Sequence, residues 1–130
     1  MRPLPLLAAA LLAALATAPA DAGRKRDDLS DLTPIPGAKP ESCIPLAGLR
    51  ESRVRNDSTI DFYGSGKRIW RSTLPYSCPQ LGFERAFSYA TSLSQLCSSD
   101  IITVLNRAGG GLVRGAGCGL GPFQPMQKAR

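Results

Sequence analysis

The chain has 130 residues, with 16 Lys and Arg against 10 Asp and Glu, four cysteines and no histidine. Without histidine, Ser-His-Asp and Cys-His catalysis are lost in their usual forms, and so is the commonest transition-metal ligand. The net charge of +6 suits anionic partners without demanding one.

Residues 1–22 read as a signal peptide. Arg2 supplies a positive start, Leu4 to Ala16 is apolar and uncharged, and Ala18, Ala20 and Ala22 form overlapping A-x-A cleavage signatures. The apolar run is shorter than the roughly 20 residues that a spanning helix needs. The expected product is a periplasmic or secreted domain that does not span the membrane. Residues 23–40, "GRKRDDLSDLTPIPGAKP", are polar, mixed in charge and broken by three prolines, so a flexible linker is expected there. A small β domain is expected over 41–124 and a disordered tail over 125–130. After the signal peptide the tails carry a net three positive charges and the domain the other three.

Cys43, Cys78, Cys97 and Cys118 all fall in the exported part. In a small exported domain an even cysteine count points to a disulfide-stapled scaffold. Four cysteines allow three pairings; Cys78–Cys97 with Cys43–Cys118 is the one favoured here, closing the middle of the domain and tying its first segment to its last. Zinc and thioredoxin-like chemistry fit poorly, because the sequence has no C-x-x-C pair and no histidine.

In chain order, Leu49 and Val54 sit among polar residues in a segment leading into a strand, and "NDS" at 56–58 marks a turn. "STIDFYGSGKRIWRSTL", 58–74, predicts a β-hairpin: two β-forming runs flank the turn residues Gly64 to Lys67. "FERAFSY", 83–89, alternates as a strand. Leu93 and Leu96, behind Thr91 or Ser92 as an N-cap, predict a short helical turn over 91–97. "DIITVLN", 100–106, is a β-branched run sized for a buried strand, and "RAGGG", 107–111, is a flexible loop.

"GAGCGLGPF", 115–123, tests for a phosphate-binding loop. No lysine follows its glycines until Lys128, and Pro122 stands where a dinucleotide fingerprint needs its third glycine. An extended chain instead puts Gly115, Gly117, Gly119 and Gly121 on one bare face, and Ala116, Cys118 and Leu120 on the other. A bare face suits a place where another segment packs closely; a loop or an exposed ligand-binding groove is the alternative.

These segments predict an all-β fold: a small antiparallel barrel or curved sheet of four to six short strands, disulfide-stapled. The expected core is Ile44, Leu46, Leu49, Val54, Ile60, Phe62, Ile69, Leu74, Leu81, Phe83, Phe87, Leu96, Ile102, Val104 and Leu120.

The chain resembles a family of small exported proteobacterial proteins catalogued only as a domain of unknown function. The pieces that carry the resemblance are "CIPLAGLRESRV", "STIDFYGSGKRIWRSTLP", "CPQLGFERAFSY", "LCSSDIITVL" and "CGLGPF", covering Cys43 to Phe123. The resemblance implies a periplasmic or secreted, mostly β protein, and it brings no catalytic residue.

Among the side chains, Asp61 and Glu84 read as solvent-facing strand positions, and Asp57 and Asp100 border turns. Lys67 is a solvated turn residue, a poor candidate for a catalytic lysine. The sharper feature is basic. Arg50, Arg53, Arg55, Lys67, Arg68 and Arg71 fall within 22 residues, interleaved with Tyr63 and Trp70. Arginine beside aromatic side chains on a β surface suits anionic polymers or sugars. The candidate binding residues are therefore Arg53, Arg55, Lys67, Arg68, Trp70 and Arg71, the competing expectation being a solvated face with Trp70 in the core. The expected function is a non-enzymatic structural, binding or accessory domain contacting an anionic cell-envelope polymer or another envelope protein, with no cofactor and no metal; export argues against nucleic acid. A hydrolase, which would need two of the acids across one cleft, or an enzyme inhibitor is the alternative.

Overall fold

A computed structural model describes residues 28–91 and 93–130. The signal peptide and residues 23–27 of the linker lie outside the described residues, as does Ser92. The described chain is all-β and antiparallel, in three sheets that form no closed barrel. Ten strands are present where four to six were expected, because several are only three residues long.

The largest sheet has the order β1-β10-β5-β4-β3, built from β1 (Leu32–Pro34), β3 (Glu51–Asn56), β4 (Thr59–Tyr63), β5 (Ile69–Thr73) and β10 (Phe123–Lys128). The predicted hairpin is β4 with β5. A second sheet pairs β2 (Cys43–Pro45) with β7 (Gln95–Cys97), and a third has the order β6-β8-β9, from β6 (Phe87–Tyr89), β8 (Ile101–Ala108) and β9 (Gly111–Gly119). A single helical turn, α1 (Leu81–Glu84), lies between β5 and β6, bounded by Gln80 and Arg85 in the left-handed region.

The main core gathers Ile44, Ile60, Phe62, Trp70, Leu74, Leu81, Leu96, Ile102, Val104, Leu120 and Phe123, with Leu46, Leu49, Val54 and Phe87 partly buried against it. Phe62 meets Phe87 and Phe123 edge to face, with ring centroids 6.4 and 5.6 Å apart. Phe83, expected in the core, is 80 % exposed. It belongs to α1 and not to a strand, so the period-two reading of 83–89 fails before Phe87. The helical turn expected over 91–97 is likewise absent: Gln95–Cys97 is extended because Ile44 and Leu96 pair across β2 and β7, and both are fully buried.

The disulfides are Cys43–Cys97 and Cys78–Cys118, which replaces the expected pairing. Cys43 lies directly opposite Cys97 in the β2–β7 ladder, so the sheet presents the two thiols to each other. Cys118 stands opposite Ile102 on β9 and meets the buried Cys78 of the loop before α1. The two bridges interleave along the chain and enclose sequence separations of 54 and 40 residues. Each restricts the unfolded chain by about 4 kcal/mol on a loop-closure basis.

Residues 28–40 and 125–130, expected to be a flexible linker and a disordered tail, are held in place instead. β1 adds to the outer side of β10, and the Ala129 N–H donates to Asp31 O at 3.0 Å. The expected loop at 107–111 is a two-residue turn: Gly109 and Gly110 both have positive φ, which suits the twist of the β8–β9 hairpin.

The glycine-rich segment is not a phosphate loop: residues 115–119 belong to β9, and 120–122 connect it to β10. Cys118 and Leu120 face inward, as the alternation predicts. The bare side is needed most at Gly121, where a Cβ would collide with the Thr73 carbonyl oxygen and lie 3.0 Å from its carbon. The buried Ser72 hydroxyl closes this contact, donating to Gly121 O at 2.9 Å and accepting from the Gly121 N–H at 3.0 Å. Gly121→Ala is therefore expected to lower the urea midpoint substantially, since the clashing atoms are backbone. Ser72→Ala is expected to cost about 1–3 kcal/mol by leaving buried backbone groups unpaired. A Gly121→Ala variant as stable as the parent would show that β5 and the 120–123 segment are not in contact.

Candidate functional site

The β4–β5 hairpin sorts the basic cluster by strand parity. Phe62 and Trp70 are cross-strand partners, as are Ile60 and Ser72, and this face lies on the main core. Asp61 pairs with Arg71 and Tyr63 with Ile69 on the opposite face. That second face is covered by the strap, residues 28–34, and by a smaller apolar cluster of Leu32, Ile69 and Met126 with Tyr63 packed against it.

Asp61 is completely buried. Arg71 donates to it through Nε at 2.7 Å and Nη2 at 2.9 Å, one bond to each carboxylate oxygen. Arg55 donates to Asp61 Oδ2 at 3.0 Å. A register shift between Val54 and Asn56 leaves Arg55 without a ladder partner on β4. Arg55 also grips Asp31 through two bonds of 2.9 Å each, and donates to the Asp28 carbonyl at 2.7 Å. Arg71 Nη1 reaches the Leu29 carbonyl at 3.1 Å. Two arginines and two aspartates thus form one network that clamps the strap to the sheet. The Arg55 hydrogen bonds hold the Asp31 carboxyl below its usual range, and the same pairing raises Arg55.

Three of the six candidate binding residues therefore serve the fold. Arg55 and Arg71 are consumed by Asp61 and the strap. Trp70 is only 3 % exposed, and its indole N–H donates to Glu41 Oε2 at 2.5 Å. The expectation of a solvent-facing Asp61 is also corrected: strap and arginines exclude water from it. Arg68 does lie beside the tryptophan, with its guanidinium carbon 4.7 Å from the ring centroid.

Lys67 and Arg68 remain available, Arg53 is paired with Glu51, and all three line one cleft of about 790 Å³. Its walls are the strap (Asp31, Leu32), the β4–β5 turn and the end of β10 (Gln127, Lys128), and Tyr63 and Ile69 also line it. Burial raises the Tyr63 hydroxyl above its ordinary value. The Arg53 guanidinium stacks 4.6 Å from the Tyr63 centroid while its Nε donates to Glu51 at 2.6 Å. Lys128 and Tyr63 join the site from outside the predicted set. Tyr63 was visible among the basic residues, but Lys128 was hidden by the reading of 125–130 as a loose tail. Asp31 is the cleft's acid, and Arg55 already holds it.

The other acids are spread through the fold on separate local duties. Asp57 accepts from the Gly82 N–H at 2.7 Å, Asp100 from the Cys97 N–H at 2.7 Å, and Glu84 from the Arg107 N–H at 3.3 Å. Neither this cleft nor the shallower one of about 730 Å³ beside Asp100 and Arg114 is lined by two of them. Among the described residues, no group of three or more Cys, Asp or Glu side chains is placed to hold a metal ion. Comparison of the chain with protein-family models, with curated proteins and with solved structures finds no match.

Removing the buried acid strands two arginines, so Asp61→Ala is expected to destabilise by about 3–5 kcal/mol. Arg68→Ala, exposed, should stay within about 0.5 kcal/mol in the same denaturation assay. Equal effects from the two would refute the division of the basic cluster. The strap should also respond to acid. Because the Asp31 pKa is lowered by folding, its contribution is complete above the unfolded carboxylate value of about 3.9 and is lost as pH falls through the lower folded value. Amide-exchange protection over 28–34 is expected to hold from neutral pH down to that range and to fall below it. Asp31→Asn should weaken protection already at neutral pH; protection unchanged in that variant would remove Asp31 from the clamp.

Proposed function

We propose that the protein is an exported, non-enzymatic binding module that holds an anionic cell-envelope polymer in the cleft between the β4–β5 turn and the end of β10. The observation that carries this reading is the convergence of Arg53, Lys67, Arg68 and Lys128 on a cleft that also contains Tyr63 and Ile69. Cations around an aromatic surface attract phosphate or carboxylate groups and give a sugar ring a face to stack on. Tyr63 and Arg53 are already stacked, so part of the ordering cost of binding is met before a ligand arrives.

Export is supported by the signal-like start of the sequence and by two disulfides, which persist in oxidising compartments. No helix among the described residues is long and apolar enough to cross a membrane.

Equilibrium binding to a purified anionic envelope polysaccharide tests the proposal. Affinity is expected to fall as salt rises, because the contacts are exposed charges. The triple variant Lys67→Ala, Arg68→Ala, Lys128→Ala should bind about tenfold more weakly, at roughly 0.5 kcal/mol for each exposed cation. Binding that ignores salt, or a triple variant that binds as the parent does, would overturn it.

A further inference from the structure

We infer that the β8–β9 hairpin is a second, separate interaction element, which docks the protein on the headgroup layer of an anionic lipid bilayer. Every residue from Arg107 to Arg114 is exposed. Successive residues of a strand point to opposite faces, so exposure of them all means that this end of the hairpin stands clear of the core on both sides. Its tip is narrow, since Gly109, Gly110 and Gly111 have no side chains and a Cβ at any of them would meet nothing within 4 Å.

The projecting end carries two large apolar side chains, Leu112 at 60 % and Val113 at 51 % exposure. Leu112 stands opposite Arg107, and Arg114 opposite Leu105, so one face of the hairpin presents leucines and arginines together. At the hairpin's foot, the Arg107 N–H donates to Glu84 of α1, the turn that also carries the exposed Phe83. No acid occurs after Asp100 in the sequence, so the hairpin's own charge is entirely positive.

These features select the occupant by charge and shape. A small convex tip with apolar side chains can enter a fluid interface, while its arginines stay at phosphate depth with their stems along the acyl boundary. Cations near an anionic leaflet strengthen such docking. A second copy is a poorer match for the same edge, because its arginines would meet like charges and charged edge residues oppose strand pairing.

The test is co-sedimentation of the disulfide-intact protein with phosphatidylcholine vesicles, with and without phosphatidylglycerol. Binding is expected only to the vesicles that contain phosphatidylglycerol. The double variant Leu112→Asp, Val113→Asp should bind them more weakly by about tenfold or more, because apolar area is withdrawn and two carboxylates now face the anionic surface. It should keep the parent's circular dichroism and urea midpoint, because both positions are exposed. A single Leu112→Trp should show a blue-shifted emission when those vesicles are added. The double variant is also expected to bind anionic polysaccharide as the parent does, which separates failure here from failure of the cleft. The inference is overturned by absence of vesicle binding, or by equal binding to both vesicle types. It is also overturned if Lys67→Ala with Arg68→Ala abolishes vesicle binding while the hairpin variant retains it, or if the hairpin variant instead abolishes self-association measured without lipid.

Discussion

A carboxylate with no access to water is the constraint around which the largest sheet is organised. Burying an isolated charge costs several kcal/mol even after relaxation, so Asp61 is tenable only with its oxygens fully occupied by cationic donors. Arg71 supplies two of those bonds from the neighbouring strand, and Arg55 supplies a third. Neither guanidinium is satisfied by Asp61 alone. Their remaining donors take the Asp31 carboxylate and the carbonyls of Asp28 and Leu29. The strap is thus the last shell of the Asp61 site, and it keeps water from the charges beneath it.

Clamping the strap has consequences beyond the ion pairs. It brings Leu32 to Ile69 and Met126, giving the sheet a small second apolar layer. It aligns β1 on β10, and the end of β10 then delivers Lys128 to the cleft. The basic cluster near the hairpin accordingly does two jobs at different depths. Arg55 and Arg71, around Asp61 and beneath the strap, hold the fold, while Lys67 and Arg68, in and beside the turn, are free for solvent or a ligand. Arginine suits the first task because its planar fork can bind a carboxylate through two donors and still reach a carbonyl with a third.

The other half of the molecule is held by different means. β6, β8 and β9 pack on the main core through Phe87, Ile102, Val104 and Cys118, and two interleaved disulfides cross-link the chain. That packing ends near Leu105, beyond which the β8–β9 hairpin depends on its own ladder, its Gly109-Gly110 turn and the bond from the Arg107 N–H to Glu84. The two cationic regions therefore differ in kind: one is a cleft walled by the clamped strap, the other a projecting tip with exposed apolar side chains.

Local pattern was enough to determine the all-β class, the 58–74 hairpin, the buried strand at Ile102 and Val104, and the inward face of Cys118 and Leu120. Each depends on alternation or turn chemistry within about ten residues, which sequence displays directly. Local pattern also showed arginines interleaved with Tyr63 and Trp70, but not which of them stack on the rings. It misread Phe83, the 91–97 segment and both ends of the domain, where short stretches take their conformation from distant partners: Ile44 for Leu96, β10 for β1, Asp61 for the strap. The cysteine pairing was equally out of reach, because it follows from β2 meeting β7 and from β9 lying over the Cys78 loop. Whether an arginine is a ligand hook or a structural clamp was decided only in three dimensions. The residue type is the same in both cases, and what differs is whether a buried carboxylate lies within reach.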